Sequence, residues 1–192
     1  MKAVLKRLII VLSFIFIAFF YIGGLMAEDN KELISIELKN GKVLIETRPD
    51  IAPLHVERIM QLVKNKEYDG VVFHRVIEGF MAQTGDVEYG KAGGDIAFAG
   101  RGGSTLPDLP AEFSDIKFDR GIVGMARTQD PNSANSQFFI MFEPGYFLNG
   151  QYTVIGRVIS GMEVVDQIKI GKGPNGAVLG KPDKMVSVEV SR

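Results

Sequence analysis

Phe73-His74-Arg75-Val76-Ile77-Glu78-Gly79-Phe80-Met81-Ala82-Gln83-Thr84-Gly85-Asp86 sets one arginine and one glutamine among bulky apolar residues. It reads as two short strands meeting at Glu78-Gly79. Alternation places Arg75 with Phe73 and Ile77 on one face of the first strand, and Met81 with Gln83 on one face of the second. Large apolar groups occupy both faces, so the pair belongs to a closed sheet with something packed outside it, or with a pocket there. An arginine held against such a surface needs a partner, and Glu78 and Asp86 are the carboxylates at hand. His74 alternates to the other face, which predicts a structural histidine and not a base.

Outward from this stretch, Leu33 to Lys39 and Lys42 to Thr47 alternate around Asn40-Gly41, a dipeptide suited to a two-residue hairpin turn. Pro53 opens a helical segment with Val56, Ile59, Met60 and Val63 at helical spacing, and His55 on it reads as a surface or boundary residue. Gly90 to Pro110 reads as a long loop, with Ile96-Ala97-Phe98 packing back on the body. Neither this loop nor Gly171-Lys172-Gly173-Pro174-Asn175-Gly176 has the order of a phosphate-binding loop, so both read as turn chemistry. Further strands are expected at Gly121 to Arg127, Ser136 to Phe142, Tyr152 to Ile159 and Met185 to Val190, with a second helix over Met162 to Ile168. The resulting expectation is a mainly β fold: a closed antiparallel barrel of about eight strands capped by two α-helices. Phe138, Ile140 and Phe142 are large enough to fill it.

A chain of 192 residues, 46% hydrophobic and 23% charged, suits one soluble domain plus its N-terminal segment. The absence of cysteine excludes disulfides, thiol nucleophiles and cysteine-based metal sites, and two histidines cannot build a histidine-rich one. Net charge is −1, which implies no attraction to nucleic acid. Lys2, Lys6 and Arg7 precede the first acidic residue, Glu28, so residues 28–192 keep 19 of the 22 basic and all 23 acidic side chains, a balance of −4.

Residues 1–27 combine that basic head with the apolar run Leu8 to Ile22 and the small-residue stretch Gly23-Gly24-Leu25-Met26-Ala27. These are the parts of a secretory signal peptide cleaved before Glu28. An uncleaved anchor is the rival, since Leu8 to Ala27 is uncharged and about the ~20 residues a bilayer span requires. Either version puts residues 28–192 on the far side of a membrane, in the periplasm if the cell is bacterial, free or tethered to the inner membrane.

The opening stretch, together with Gly124-Met125-Ala126-Arg127, Ser136-Gln137-Phe138-Phe139-Ile140 and Phe147-Leu148-Asn149-Gly150, resembles the cyclophilin family of peptidyl-prolyl isomerases, specifically its bacterial exported type. The resemblance runs from about Leu33 onward. It implies that Arg75 is catalytic, donating a hydrogen bond to the prolyl nitrogen, and that Phe80, Met81, Phe139 and Leu148 form the proline pocket. It assigns Gln83 to the substrate backbone, Ala126 and Arg127 to the segment that aligns the peptide, and Gln137, Phe147 and Tyr152 to the same groove. Phe147 stands where many relatives have tryptophan, Tyr152 where many have histidine and Arg127 where asparagine is common. The resemblance further implies no cofactor, proline-containing peptides and unfolded proteins as partners, a monomer, and cyclosporin as a ligand, here a weak one because phenylalanine lacks the indole N–H.

Three functions compete once the resemblance is set beside the residues. An isomerase acting on exported proteins is the first; a chaperone module that binds proline segments with little turnover is the second. Arg75 favours the first, because binding alone needs no donor at the amide nitrogen. The third, a small-ligand carrier inside the barrel, conflicts with the large interior side chains.

Overall fold

The computed structural model describes residues 32–191, so the expected signal or anchor at residues 1–27 lies outside the described residues. Eight strands form one antiparallel sheet: β1 (Leu33–Leu38), β2 (Gly41–Thr47), β3 (Arg75–Ile77), β4 (Met81–Thr84), β5 (Ile122–Met125), β6 (Phe138–Met141), β7 (Val154–Ser160) and β8 (Ser187–Ser191). Helix α1 spans Pro53–Lys64 and the short helix α2 spans Met162–Val165. Among the described residues no helix is long and apolar enough to cross a membrane.

The sheet is mainly β and helix-capped as expected, but it is not closed. Its order is β3-β4-β6-β5-β7-β2-β1-β8, with no ladder joining β3 to β8, which makes it an open half-barrel. The reason lies in residues 171–178. Gly171 N–H donates to the Val76 carbonyl at 2.9 Å and Val178 N–H to the His74 carbonyl at 3.0 Å, so this loop takes the edge bonds of β3 that a closing strand would need. Pro174 and three glycines between them make the segment a turn and not a strand. The seam is bridged singly, by Val72 with Lys184 and Arg75 with Ala177.

Apolar clusters cover both faces of the sheet. The inner cluster packs α1 and α2 on Ile36, Val43, Ile45, Val76, Phe138 and Ile140; the outer one joins Met81, Phe118, Phe139, Met141, Leu148 and Val154. Between sheet and α1, in a space lined by Ile36, Ile45, Val63, Tyr68 and Phe138, about 10 Å³ is left. That is no more than one water requires, so the interior holds no small ligand.

Several local readings need correction. Phe73 precedes β3, escapes its alternation and packs in the inner cluster, away from Arg75. The hairpin turn is Lys39-Asn40, with Leu38 paired to Gly41. Ile96–Phe98 forms a 3₁₀ turn that buries none of its residues; Phe98 packs on Tyr89 with ring centroids 5.9 Å apart. Helix α2 stops at Val165, although Ile168 still reaches the core.

His55 is not a boundary residue but fully buried. Ala52 offers α1 no side-chain cap. Glu112 supplies it from a distant loop, accepting from Leu54 N–H at 3.1 Å, His55 N–H at 3.0 Å and His55 Nδ1 at 2.6 Å. Burial nevertheless outweighs this partner and holds His55 below its usual pKa.

Candidate active site

The antiparallel register assembles the site. Arg75 on β3 pairs with Gln83 on β4, Ile77 with Met81, and Gln83 in turn with Phe139 on β6. Their outward side chains therefore form one row across three strands. Ala126 and Arg127 follow the end of β5, Tyr152 precedes β7, and a 3₁₀ turn at Tyr146–Leu148 brings in Phe147 and Leu148. The result is a pocket of about 280 Å³ lined by Arg75, Phe80, Met81, Gln83, Ala126, Arg127, Phe139, Phe147, Leu148 and Tyr152. Every expected site residue except Gln137 lines it. Gln137 lines a second depression of about 370 Å³, which shares Gln83, Ala126 and Arg127 with the first and continues toward Gly100–Ser104.

Aromatic packing fixes the walls. Phe139 stacks on buried Phe118 at 5.8 Å, and Tyr152 meets the Phe139 ring edge-on at 5.9 Å. Gly124 makes this possible: a Cβ there would lie 2.6 Å from Phe139 Cζ and 2.7 Å from Phe118 Cε1. Phe147 leans on Phe80 with centroids 5.4 Å apart and stays 67% exposed, so it forms the rim and not the floor. The Arg127 guanidinium lies 4.3 Å above the Tyr152 ring while its Nε and Nη2 donate to the Gln151 carbonyl. A cation so placed contributes about 0.5–1 kcal/mol at an exposed site, which orders Tyr152.

Arg75 sits in a hydrogen-bonded chain that runs the length of the site. Its Nη1 donates to Gln83 Oε1 at 3.0 Å, Gln83 Nε2 to Gln137 Oε1 at 2.9 Å, and Gln137 Nε2 to the Gly102 carbonyl at 2.8 Å. Each amide is thereby oriented by the next. On the other side Arg75 Nε donates to the Asn175 carbonyl at 3.0 Å and Nη2 to Asn175 Oδ1 at 3.1 Å. Among the described residues no carboxylate lies within ion-pair distance of Arg75; neither Glu78 nor Asp86 serves. Partial burial lowers its pKa from the ordinary value, with Tyr152 acting the other way. The guanidinium stays charged, and three bonds to oxygen leave it N–H groups to spare.

Asp86 anchors the far end. Its fully buried carboxylate accepts from the N–H groups of Glu88, Tyr89, Gly100 and Gly102, at 2.7–3.1 Å, and so positions the Gly102 carbonyl that receives Gln137. Sequence reasoning missed Asn175, Phe118 and this use of Asp86. The Asn175-Gly176 dipeptide announced a turn without saying against what. For Phe118 the sequence held no signal.

His74 precedes β3, and its ring packs against Gly100, where a Cβ would stand 2.8 Å from His74 Cδ2. Its ring nitrogens are buried without a hydrogen-bond partner among the described residues. Burial pushes its pKa down to about 4; Asp86, and the approach of Gln137 and the Val72 carbonyl outside hydrogen-bond geometry, raise it less.

With this geometry in view, the comparisons with known proteins converge. The family profile "Cyclophilin type peptidyl-prolyl cis-trans isomerase/CLD" matches residues 33–190. A probable peptidyl-prolyl cis-trans isomerase of Brucella abortus (strain 2308) is 56% identical over 166 residues, covering 85% of each chain. The peptidyl-prolyl cis-trans isomerase of Acinetobacter baylyi is 35% identical over 198 residues, covering 97% of this chain and 96% of its own. Among solved structures, cyclophilin AquaCyp293 from Hirschia baltica aligns with a TM-score of 0.67 at 30% identity, over 81% of this chain and 72% of that one.

Proposed function

The chain belongs to the cyclophilin-type peptidyl-prolyl cis-trans isomerases and accelerates rotation about X–Pro bonds; on that premise we propose that Arg75 is the hydrogen-bond donor that lowers the rotational barrier. Rotation of a peptide bond meets ~18–20 kcal/mol because twisting breaks amide resonance. As the bond twists, the prolyl nitrogen regains a lone pair that accepts a hydrogen bond, which the planar amide does not offer. A donor placed there binds the twisted state better than either planar one, and that difference is catalysis. Phe80, Met81, Phe139 and Leu148 grip the proline ring, with Phe147 and Tyr152 at the sides. Gln83, Ala126, Arg127 and Gln137 align the peptide beyond it.

One observation carries this reading: a charged guanidinium with N–H groups to spare, and with no carboxylate partner among the described residues, lines the same pocket as those apolar side chains. The test is Arg75→Ala in the purified full chain, assayed on a proline tetrapeptide. A charge-assisted donor to a transition state is worth ~2.7–4 kcal/mol in comparable sites, so kcat/KM should fall about a hundredfold or more. Parent-like turnover in a folded variant overturns the mechanism.

The reading extends to place and partners. Residues 28–192 work on exported proteins in the periplasm as a monomer, cyclosporin binds them weakly, and residues 1–27 alone touch the membrane. The basic and apolar character of residues 1–27 supports export. Mass measurement of the native protein should give a chain beginning near Glu28, or a full-length chain confined to membranes. A full-length chain in the cytoplasm is the result that defeats export.

A further inference from the structure

Asn175 and Gly176 both adopt left-handed conformations, with φ of 53° and 76°, and Ala177 N–H closes the turn on the Pro174 carbonyl at 3.1 Å. This is the primed turn that Asn-Gly favours. It is pinned to β3 on both sides, through Gly171 to Val76 and Val178 to His74. Gly176 has no substitute, since a Cβ there would lie 2.4 Å from Ile77 Cγ1. The turn thus fixes two oxygens of one residue, the Asn175 carbonyl and Oδ1, on two nitrogens of Arg75. The remaining oxygen on Arg75 belongs to Gln83, also a neutral amide.

We infer that Asn175 is a positioning residue, holding the Arg75 guanidinium in the groove while leaving its positive charge uncancelled. A carboxylate at this place would grip the guanidinium more tightly, through a charge-assisted, forked pair. It would also offset part of the charge that has to meet the developing lone pair, by an amount that water at this exposed edge of the groove reduces. Two neutral acceptors give fixed geometry without that loss. This inference rests on the assignment of Arg75 as the donor.

Gly, Asn and Asp all tolerate a left-handed φ, so Asn175→Gly and Asn175→Asp both suit the turn. Asn175→Gly keeps the backbone carbonyl on Nε and removes Oδ1; a modest loss of kcat/KM, about twofold to tenfold, is expected. Asn175→Asp keeps the shape and the acceptor but adds charge, and its kcat should fall further than that of the glycine variant, by about tenfold or more, with KM little changed. A purely structural role gives the opposite order, because the isosteric aspartate preserves the turn. Arg75→Ala is measured in the same series on the full chain, with thermal unfolding to establish folding. If Arg75→Ala turns over like the parent, the donor assignment falls and this inference with it. If Arg75→Ala is inactive while Asn175→Asp equals or exceeds Asn175→Gly, this inference alone is overturned.

Discussion

Replacing His74 by leucine is expected to flatten the acid side of the stability curve. In the unfolded chain the imidazole protonates near its ordinary value of 6.5; in the folded one burial holds it neutral down to about 4. Between those values the unfolded state carries a proton the folded state lacks. The group's contribution is therefore fully present above pH 6.5 and is lost as pH falls through the interval. Each pH unit inside it costs about 1.36 kcal/mol, so the loss is about 2.5 kcal/mol by pH 4.5 and about 3 kcal/mol when complete. Asp86 and Arg75 face the ring with opposite effects, the carboxylate raising its pKa and the guanidinium lowering it. His55, also depressed, adds a loss of the same sign, but it is common to both proteins and cancels in the comparison. The assay is urea unfolding of parent and His74→Leu at steps from pH 8 to 4.5, with His74→Asn as a second neutral substitute. Parallel curves for parent and both variants would show that His74 is either solvated or already charged in the native state, and the burial argument would fail.

Two other predictions concern the groove. Gly124→Ala drives a methyl group into the Phe118–Phe139 stack, where Cβ would stand 2.6 Å from Phe139 Cζ. Overpacking of this kind costs about 1–3 kcal/mol, so urea unfolding should shift by that amount and kcat/KM should drop as Phe139 is displaced; an unshifted transition would mean the stack yields freely. Phe147→Trp meets no packing barrier on the 67% exposed rim and restores an indole donor. Cyclosporin inhibition should tighten by roughly one to two powers of ten with turnover on proline peptides little altered, and unchanged inhibition would remove Phe147 from the cyclosporin site.

Alternation, a local signal, made only the shared face of Met81 and Gln83 legible, and the rest of the pocket came from the resemblance to the family. Met81 and Gln83 must share a face, and once β4 pairs with β6 that face carries Phe139 as well. Phe73 broke the pattern because it lies just outside the regular strand, where alternation has no force. His55 was misjudged because its partner Glu112 is 57 residues away, and sequence gives no reason to join them. Asn175 is harder still, being separated from Arg75 by 100 residues, with only its turn chemistry visible locally.

The largest error, the closed barrel, falls where the chemistry is concentrated. A strand count with short turns favours closure because closure removes edges. Here the edge of β3 is satisfied differently, by a loop whose N–H groups reach the carbonyls of His74 and Val76, either side of Arg75. A strand closing the sheet would present a regular ladder to β3, with side chains alternating to either face and backbone oxygens committed to that ladder. It could not turn one residue's carbonyl and side chain together onto the Arg75 guanidinium. The turn at Asn175-Gly176 does so: Asn175, at a φ of 53°, sets its carbonyl on Arg75 Nε and its Oδ1 on Nη2. The open seam and the uncancelled charge of Arg75 are therefore one structural choice. A substitution that favours regular pairing at residues 171–178 would put both at risk.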